Sequence, residues 1–348
     1  MKKLNLDDKN IYYMGRIDFE DPKSPTFIWA GSLLKFRFIG TDIDISLKNT
    51  VFTDKTHIGY LVDGIQYKLE LDKNESETKY TLAKDLENTE HEIIIFKRMD
   101  ATHYFTLTGI YINDDAKLLP ITEKPKRRIE VFGDSVSCGA VVEAVNYDAH
   151  IDPENQDGRY DNAWFSYSMI TSRLLNAELH NTSQGGIAVL DKTGYFEQPV
   201  TTGLVSTYDK LRYSPRAKTS QWDFNKYIPH VVIMAVGQND SFPNPDCLKD
   251  KNYYENWVAN YINIVKQLKK NYPKAVFILT TTVLCHDEIW DKAIDDITLR
   301  LNDKSVYRFY YTRCGKATPG HPRITEQAEM AAELTAFIKT LPDNIWDN

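Results

Sequence analysis

Ile129-Glu130-Val131-Phe132-Gly133-Asp134-Ser135 is a short apolar run that breaks at a glycine and ends on a hydroxyl. A run of this length, bounded by a turn signal, reads as a strand buried within a parallel sheet. A serine just past its end stands at the sheet edge, beside the backbone N–H groups that open the following helix. Two other stretches fall at comparable places downstream: Gly237-Gln238-Asn239-Asp240 after a second apolar strand, and Gly320-His321-Pro322 before the last helix.

Working outward from the first run, further strands are read at 178–181, 231–236, 275–280 and 306–311. The runs at 231–236 and 275–280 are continuously apolar, whereas those at 178–181 and 306–311 are more polar. Helices lie between them. In one, Tyr254, Trp257, Val258, Tyr261, Ile262, Val265 and Leu268 recur at helical spacing; in the last, Ala328, Ala331, Leu334 and Ile338 share a face. Five β-α repeats predict an open, mostly parallel, five-stranded three-layer α/β sheet, which binds ligands at the carboxyl ends of its strands.

The chain has a different character before residue 122. Leu34-Lys35-Phe36-Arg37-Phe38-Ile39 and Ile43-Asp44-Ile45-Ser46-Leu47 alternate with period two, and 57–62, 67–71, 92–96 and 104–112 continue the pattern. Turn residues such as Asp63-Gly64 separate them, and no helical stretch intervenes. An antiparallel β-sandwich of jelly-roll type is expected over 1–122, and the α/β domain over 123–348. Lys124-Pro125-Lys126-Arg127-Arg128 reads as a solvated joint between them.

Composition bounds the function. The 348 residues carry a net charge of -7, with 42% hydrophobic and 26% charged residues, which is ordinary for a globular protein. The acidic balance argues against a nucleic-acid or anionic-membrane binder, and no window approaches the ~20 apolar residues of a membrane span. Met1-Lys2-Lys3 has no apolar stretch behind it, so a cytoplasmic location is expected. Cys138, Cys247, Cys285 and Cys314 are widely spaced and read as free thiols. His286-Asp287-Glu288 lacks a metal-ligand spacing and reads as a polar helix start. No glycine-rich nucleotide motif occurs.

The three stretches support one chemistry. An alcohol needs a base within hydrogen-bond reach to act as a nucleophile, and a histidine can take that proton and return it to a leaving alcohol. Ser135 is the candidate nucleophile and His321 the candidate base. Acyl transfer also builds charge on a carbonyl oxygen, which calls for preorganised donors. The Ser135 N–H, the Asn239 side-chain amide and an N–H from the turn Ser183-Gln184-Gly185-Gly186 are candidates. Asp134 and Asp240 read as turn-forming supports, and Ser137 as a helix cap. Trp164 and Trp290 are the candidate aromatic surfaces for a substrate.

Gly-Asp-Ser, a later Gly, Gly-x-Asn-Asp and a terminal His-Pro, in that order on a parallel sheet, resemble the SGNH (GDSL-type) hydrolase superfamily. Phe27-Ile28-Trp29-Ala30-Gly31-Ser32, Phe38-Ile39-Gly40-Thr41, Tyr60-Leu61-Val62-Asp63-Gly64 and Phe105-Thr106-Leu107-Thr108-Gly109-Ile110 resemble the jelly-roll domain of carbohydrate esterase family 2. The resemblance covers almost the whole chain. It implies Ser135 as nucleophile, His321 as base, and an oxyanion hole of Ser135 N–H, Gly186 N–H and the Asn239 amide. It implies removal of O-acetyl groups from xylan- or mannan-type oligosaccharides, with no metal or organic cofactor. The superfamily usually carries an Asp two or three residues before the base. Here Pro319 and Thr318 stand there, beside Gly320. A Ser–His dyad is therefore expected, with His321 oriented by a main-chain oxygen or by Thr318; some family members also lack the acid. The competing readings are a lipid-directed SGNH hydrolase and a catalytically silent carbohydrate-binding protein. Loops 147–162 and 241–251 are expected to shape the cleft, alone or with a neighbouring subunit of a homo-oligomer.

Overall fold

The computed structural model describes residues 1–52, 55–73, 75–197, 201–214, 218–284, 286–313 and 319–347. The chain divides into two compact units, Met1–Lys124 with Asp157–Arg159, and Pro125–Gln156 with Tyr160–Asn348.

The first unit is an antiparallel β-sandwich. One sheet runs in the order Ile17–Asp18, Thr26–Phe27, His103–Ile112, Ile43–Val51 and Thr78–Ala83. The other runs Lys117–Leu119, Leu33–Gly40, Thr89–Lys97, His57–Val62 and Ile65–Glu70. Period-two alternation sends Leu34, Phe36 and Phe38 inward, where they join Ile45, Leu47, Phe105 and Leu107 of the opposite sheet in one core. Phe27 and Phe105, paired across strands, stack with centroids 4.5 Å apart. The strand Thr78–Ala83 has no counterpart in the sequence reading. It lies at a sheet edge with most of its residues partly or fully exposed, so its alternation is weak.

The second unit holds the five parallel strands in their expected places: β1 Arg127–Gly133, β2 Ala177–Ser183, β3 Val231–Ala235, β4 Val276–Thr280 and β5 Val306–Arg308. Their order is β2-β1-β3-β4-β5. β3 is buried at every residue, as its unbroken apolar run requires. The helices are α1 Ser135–Cys138, α2 Tyr167–Leu174, α3 Lys251–Asn271, α4 Glu288–Leu301 and α5 Ile324–Ile338. α3 opens where Asp250 accepts from Tyr253 N, and it buries Trp257, Tyr261, Ile264, Val265 and Leu268. Ile264 takes the place that spacing had given to Ile262. On α5 the inward residue of the first turns is Gln327 rather than Ala328. Its Oε1 accepts from Tyr167 N at 2.7 Å and its Nε2 donates to Val136 O at 3.1 Å, which satisfies a polar side chain in the core.

The strand order reverses direction between β1 and β3, and at such a switch point the flanking loops diverge and leave a crevice. Ser135 follows β1, and Asn239 follows β3.

Candidate active site

Gly133 closes β1 where no side chain fits: a Cβ there would lie 2.1 Å from Ser137 Oγ. This contact folds α1 directly back onto the strand. Asp134 caps α1, its Oδ1 accepting from Val136 N at 3.0 Å, and Gly139 ends it in the left-handed region at φ 73°. Ser135 is thereby the first helical residue. Ser137 is not the cap; it lies inside α1, with its hydroxyl 2.7 Å from Tyr167 OH. Burial pushes the Asp134 carboxyl up to about 6.

His321 reaches the same point from the segment before α5. Its Nε2 lies 2.8 Å from Ser135 Oγ. Its Nδ1 lies 2.6 Å from Asp152 Oδ2, so the carboxylate, which only accepts when ionised, fixes the hydrogen on Nδ1 and leaves Nε2 free to accept from the serine. Asp152 Oδ1 accepts from His321 N at 2.9 Å and from Arg323 Nη1 at 2.8 Å. Burial alone would raise the Asp152 carboxyl; the hydrogen bonds from His321 and from the Arg323 guanidinium together hold it well below the usual carboxylate range. The expectation of a main-chain oxygen at Nδ1 is therefore overturned. The carboxylate comes from the 147–162 loop, far from the two positions before the base, and Thr318 lies outside the described residues.

Asn239 occupies the turn Gln238–Ser241 after β3 and donates from Nδ2 to Ile187 O at 2.9 Å. One amide hydrogen remains for the cleft that Asn239 lines. Asp240 is buried behind it and accepts from Val189 N at 2.7 Å, Leu190 N at 3.0 Å and Thr193 Oγ1 at 3.2 Å. Adjacent side chains thus tie β3 to the loop that carries Gly186. Burial pushes the Asp240 carboxyl up to about 6. Gly186 sits at φ 72°, where a Cβ would lie 2.8 Å from Tyr195 Cβ, so both conformation and space call for glycine.

These residues meet in one cleft of about 650 Å³. Ser135, Asp152, Gly186, Asn239, Gly320 and His321 line it, with Ile151, Tyr195 and Leu284 among its apolar walls. The two tryptophans singled out from sequence are not among the lining residues. Trp290 is 3% exposed and packs edge-on against Trp257, centroids 5.4 Å apart, as part of the core. Trp164 is half-buried, with the Arg173 guanidinium 4.4 Å from its ring. Tyr195, which lines the cleft, is exposed, and Phe242 stacks on it with centroids 4.4 Å apart. Asp287 caps α4 by accepting from Ile289 N, as a polar helix start should, and among the described residues no His, Cys, Asp and Glu side chains gather as a metal site. No helix among the described residues is long and apolar enough to cross a membrane.

The profile of the carbohydrate esterase 2 N-terminal family matches residues 13–121. The cellulase/esterase CelE of Acetivibrio thermocellus is 28% identical over 345 residues, covering 96% of this chain and 40% of CelE. An acetylxylan esterase / glucomannan deacetylase of Cellvibrio japonicus is 25% identical over 347 residues, covering 97% of this chain and 90% of that protein. Residues 13–121 thus carry the N-terminal domain type of carbohydrate esterase family 2, and the chain is similar to esterases over nearly its whole length. A solved family two carbohydrate esterase from Clostridium thermocellum, in complex with cellohexaose, has a TM-score of 0.80 at 26% identity and covers 95% of this chain and 98% of its own. The family two match embraces both units, the sandwich and the SGNH-type α/β sheet, while the chain spans only 40% of CelE.

Proposed function

We propose that this protein is a serine esterase that removes O-acetyl groups from xylan- or mannan-type oligosaccharides. The observation that carries this reading is the 2.8 Å approach of Ser135 Oγ to His321 Nε2 in a cleft that Gly186 and Asn239 also line. Ser135 Oγ attacks the acetyl carbonyl as its proton passes to His321 Nε2. The carbonyl electron pair moves onto oxygen, where the N–H groups of Ser135 and Gly186 and the Asn239 amide receive the charge. Collapse breaks the bond to the sugar oxygen, which takes the proton from Nε2, and the acetyl group stays on Ser135 Oγ as an ester. Water then attacks the acyl-enzyme with His321 again as base, releasing acetate and restoring the serine.

Tyr195, which lines this cleft, stacks on Phe242, and the two exposed rings offer a flat face to a sugar ring. The test is acetate release from acetylated xylan and mannan oligomers, with NMR recording which ring positions lose their acetyl group. Wild type should release acetate and Ser135→Ala should not. A preference for octanoyl over acetyl nitrophenyl esters, with no acetate from either oligomer, would reject the carbohydrate reading.

A further inference from the structure

We propose that Asp152 is the positioning residue of His321, an acid drawn from a loop 169 residues before the base instead of from the two positions ahead of it, and that Arg323 and Gly320 exist in this sequence to seat it. The inference rests on the proposed acyl transfer at Ser135.

Three observations converge. The Asp152 carboxylate satisfies three donors at once: His321 Nδ1 at 2.6 Å, His321 N at 2.9 Å and Arg323 Nη1 at 2.8 Å. A carboxylate gripped by backbone, imidazole and guanidinium has one orientation, and it fixes the imidazole in the tautomer whose Nε2 accepts from serine. Arg323, whose side chain is 0% exposed, donates from Nη1 to His321 O at 2.6 Å as well as to Asp152. It grips the histidine's own carbonyl and the histidine's partner, so base and acid are held by one guanidinium nitrogen. Gly320 supplies the space: a Cβ there would lie 2.3 Å from Asp152 Oδ1 and 2.8 Å from Asp152 N. Asp152 can approach only because the residue before the base has no side chain.

The proton arithmetic gives the role. When Ser135 loses its proton to Nε2, His321 becomes a cation while the hydrogen on Nδ1 stays where it was. The ionised Asp152, 2.6 Å away, stabilises that cation without taking the proton. Arg323 offsets part of the carboxylate charge, so its contribution is to orient Asp152 and to keep it ionised.

The test is Asp152→Asn in the full chain, read by steady-state kinetics on 4-nitrophenyl acetate and by the low-field NMR resonance of the His321 Nδ1 proton. The expected result is a loss of about 10⁴ in kcat with KM within threefold of wild type, the scale seen when a triad acid is neutralised. The low-field resonance should be present in wild type and absent in the variant. Gly320→Ala keeps the carboxylate but pushes it from its seat, and should lower kcat and shift the same resonance. In a Ser135→Ala background, Asp152→Asn should cost almost nothing further, because residues acting as a unit are not additive. A kcat within tenfold of wild type in Asp152→Asn, or a resonance that persists in it, would overturn the proposal. The resonance does not depend on turnover, so it judges Asp152 even if the wild type proves to hydrolyse no acetyl ester, a result that would reject the esterase reading alone.

Discussion

Replacing Asn239 with Ala removes one arm of the oxyanion hole while leaving Ser135 and His321 in place. The Asn239 amide spends one hydrogen on Ile187 O at 2.9 Å, which leaves its second hydrogen for the cleft that the residue lines. The substitution therefore has two separable costs. Loss of the transition-state donor is worth roughly 3–4 kcal/mol, which is about 10²–10³ in kcat. Loss of the neutral bond to Ile187 O costs about 1 kcal/mol of stability, a fall in Tm of about 2–4 °C for a domain of this size. Because the donor acts on charge that develops only at the transition state, KM should change little. Asn239→Asp is the sharper comparison. It keeps the shape but sets a negative charge beside the developing oxyanion, so it should be slower than Asn239→Ala. Steady-state hydrolysis of 4-nitrophenyl acetate and of acetylated oligomers, with melting curves on the same samples, measures all of this. A kcat within threefold of wild type at an unchanged Tm, or Asn239→Asp outperforming Asn239→Ala, would refute the assignment.

Three further outcomes are expected. Tyr195→Ala and Phe242→Ala should raise KM for oligosaccharides about fivefold to tenfold, the worth of roughly 1–1.5 kcal/mol of aromatic contact, with a much smaller effect on 4-nitrophenyl acetate. Trp290→Ala should lower stability by about 3–5 kcal/mol in denaturant unfolding, and in the folded fraction KM for oligosaccharides should stay at the wild-type value. The two carboxylates should give opposite pH dependences in urea unfolding. Asp152 is held below its ordinary value, so the stability that wild type has over Asp152→Asn is present above about pH 4 and shrinks as pH falls through the acid range. Asp240 is raised to about 6 by burial. Its folded state binds the proton more tightly, so its contribution is fullest below about pH 4 and is lost as pH rises toward 6.

The parallel sheet was legible because its strands are buried on both faces and so carry almost uninterrupted apolar runs; Val231–Ala235 is the clearest case. The strand Thr78–Ala83 was not, because an edge strand with exposed Lys79 and Thr81 carries little pattern. Ser135, Gly186, Asn239 and His321 could be read from motifs because each sits next to a strand or helix end whose geometry needs a glycine or a cap. Asp152 could not. It is one of five acidic residues between 148 and 161, and spacing along the chain does not distinguish it from Asp148, Glu154, Asp157 or Asp161. The one local hint was Gly320, whose missing side chain makes sense only once Asp152 is seen against it. The tryptophans misled because large aromatics usually fill cores, as Trp290 does, and the aromatic face beside the cleft is made of Tyr195 and Phe242.

The central claim, that Ser135 is a nucleophile activated by His321, is tested most directly by organophosphate labelling followed by peptide mapping. One label per chain on the peptide containing Ser135, none in Ser135→Ala and a greatly slowed reaction in His321→Ala is the predicted result. Continued ester hydrolysis by a chain that takes no label at Ser135 would contradict it.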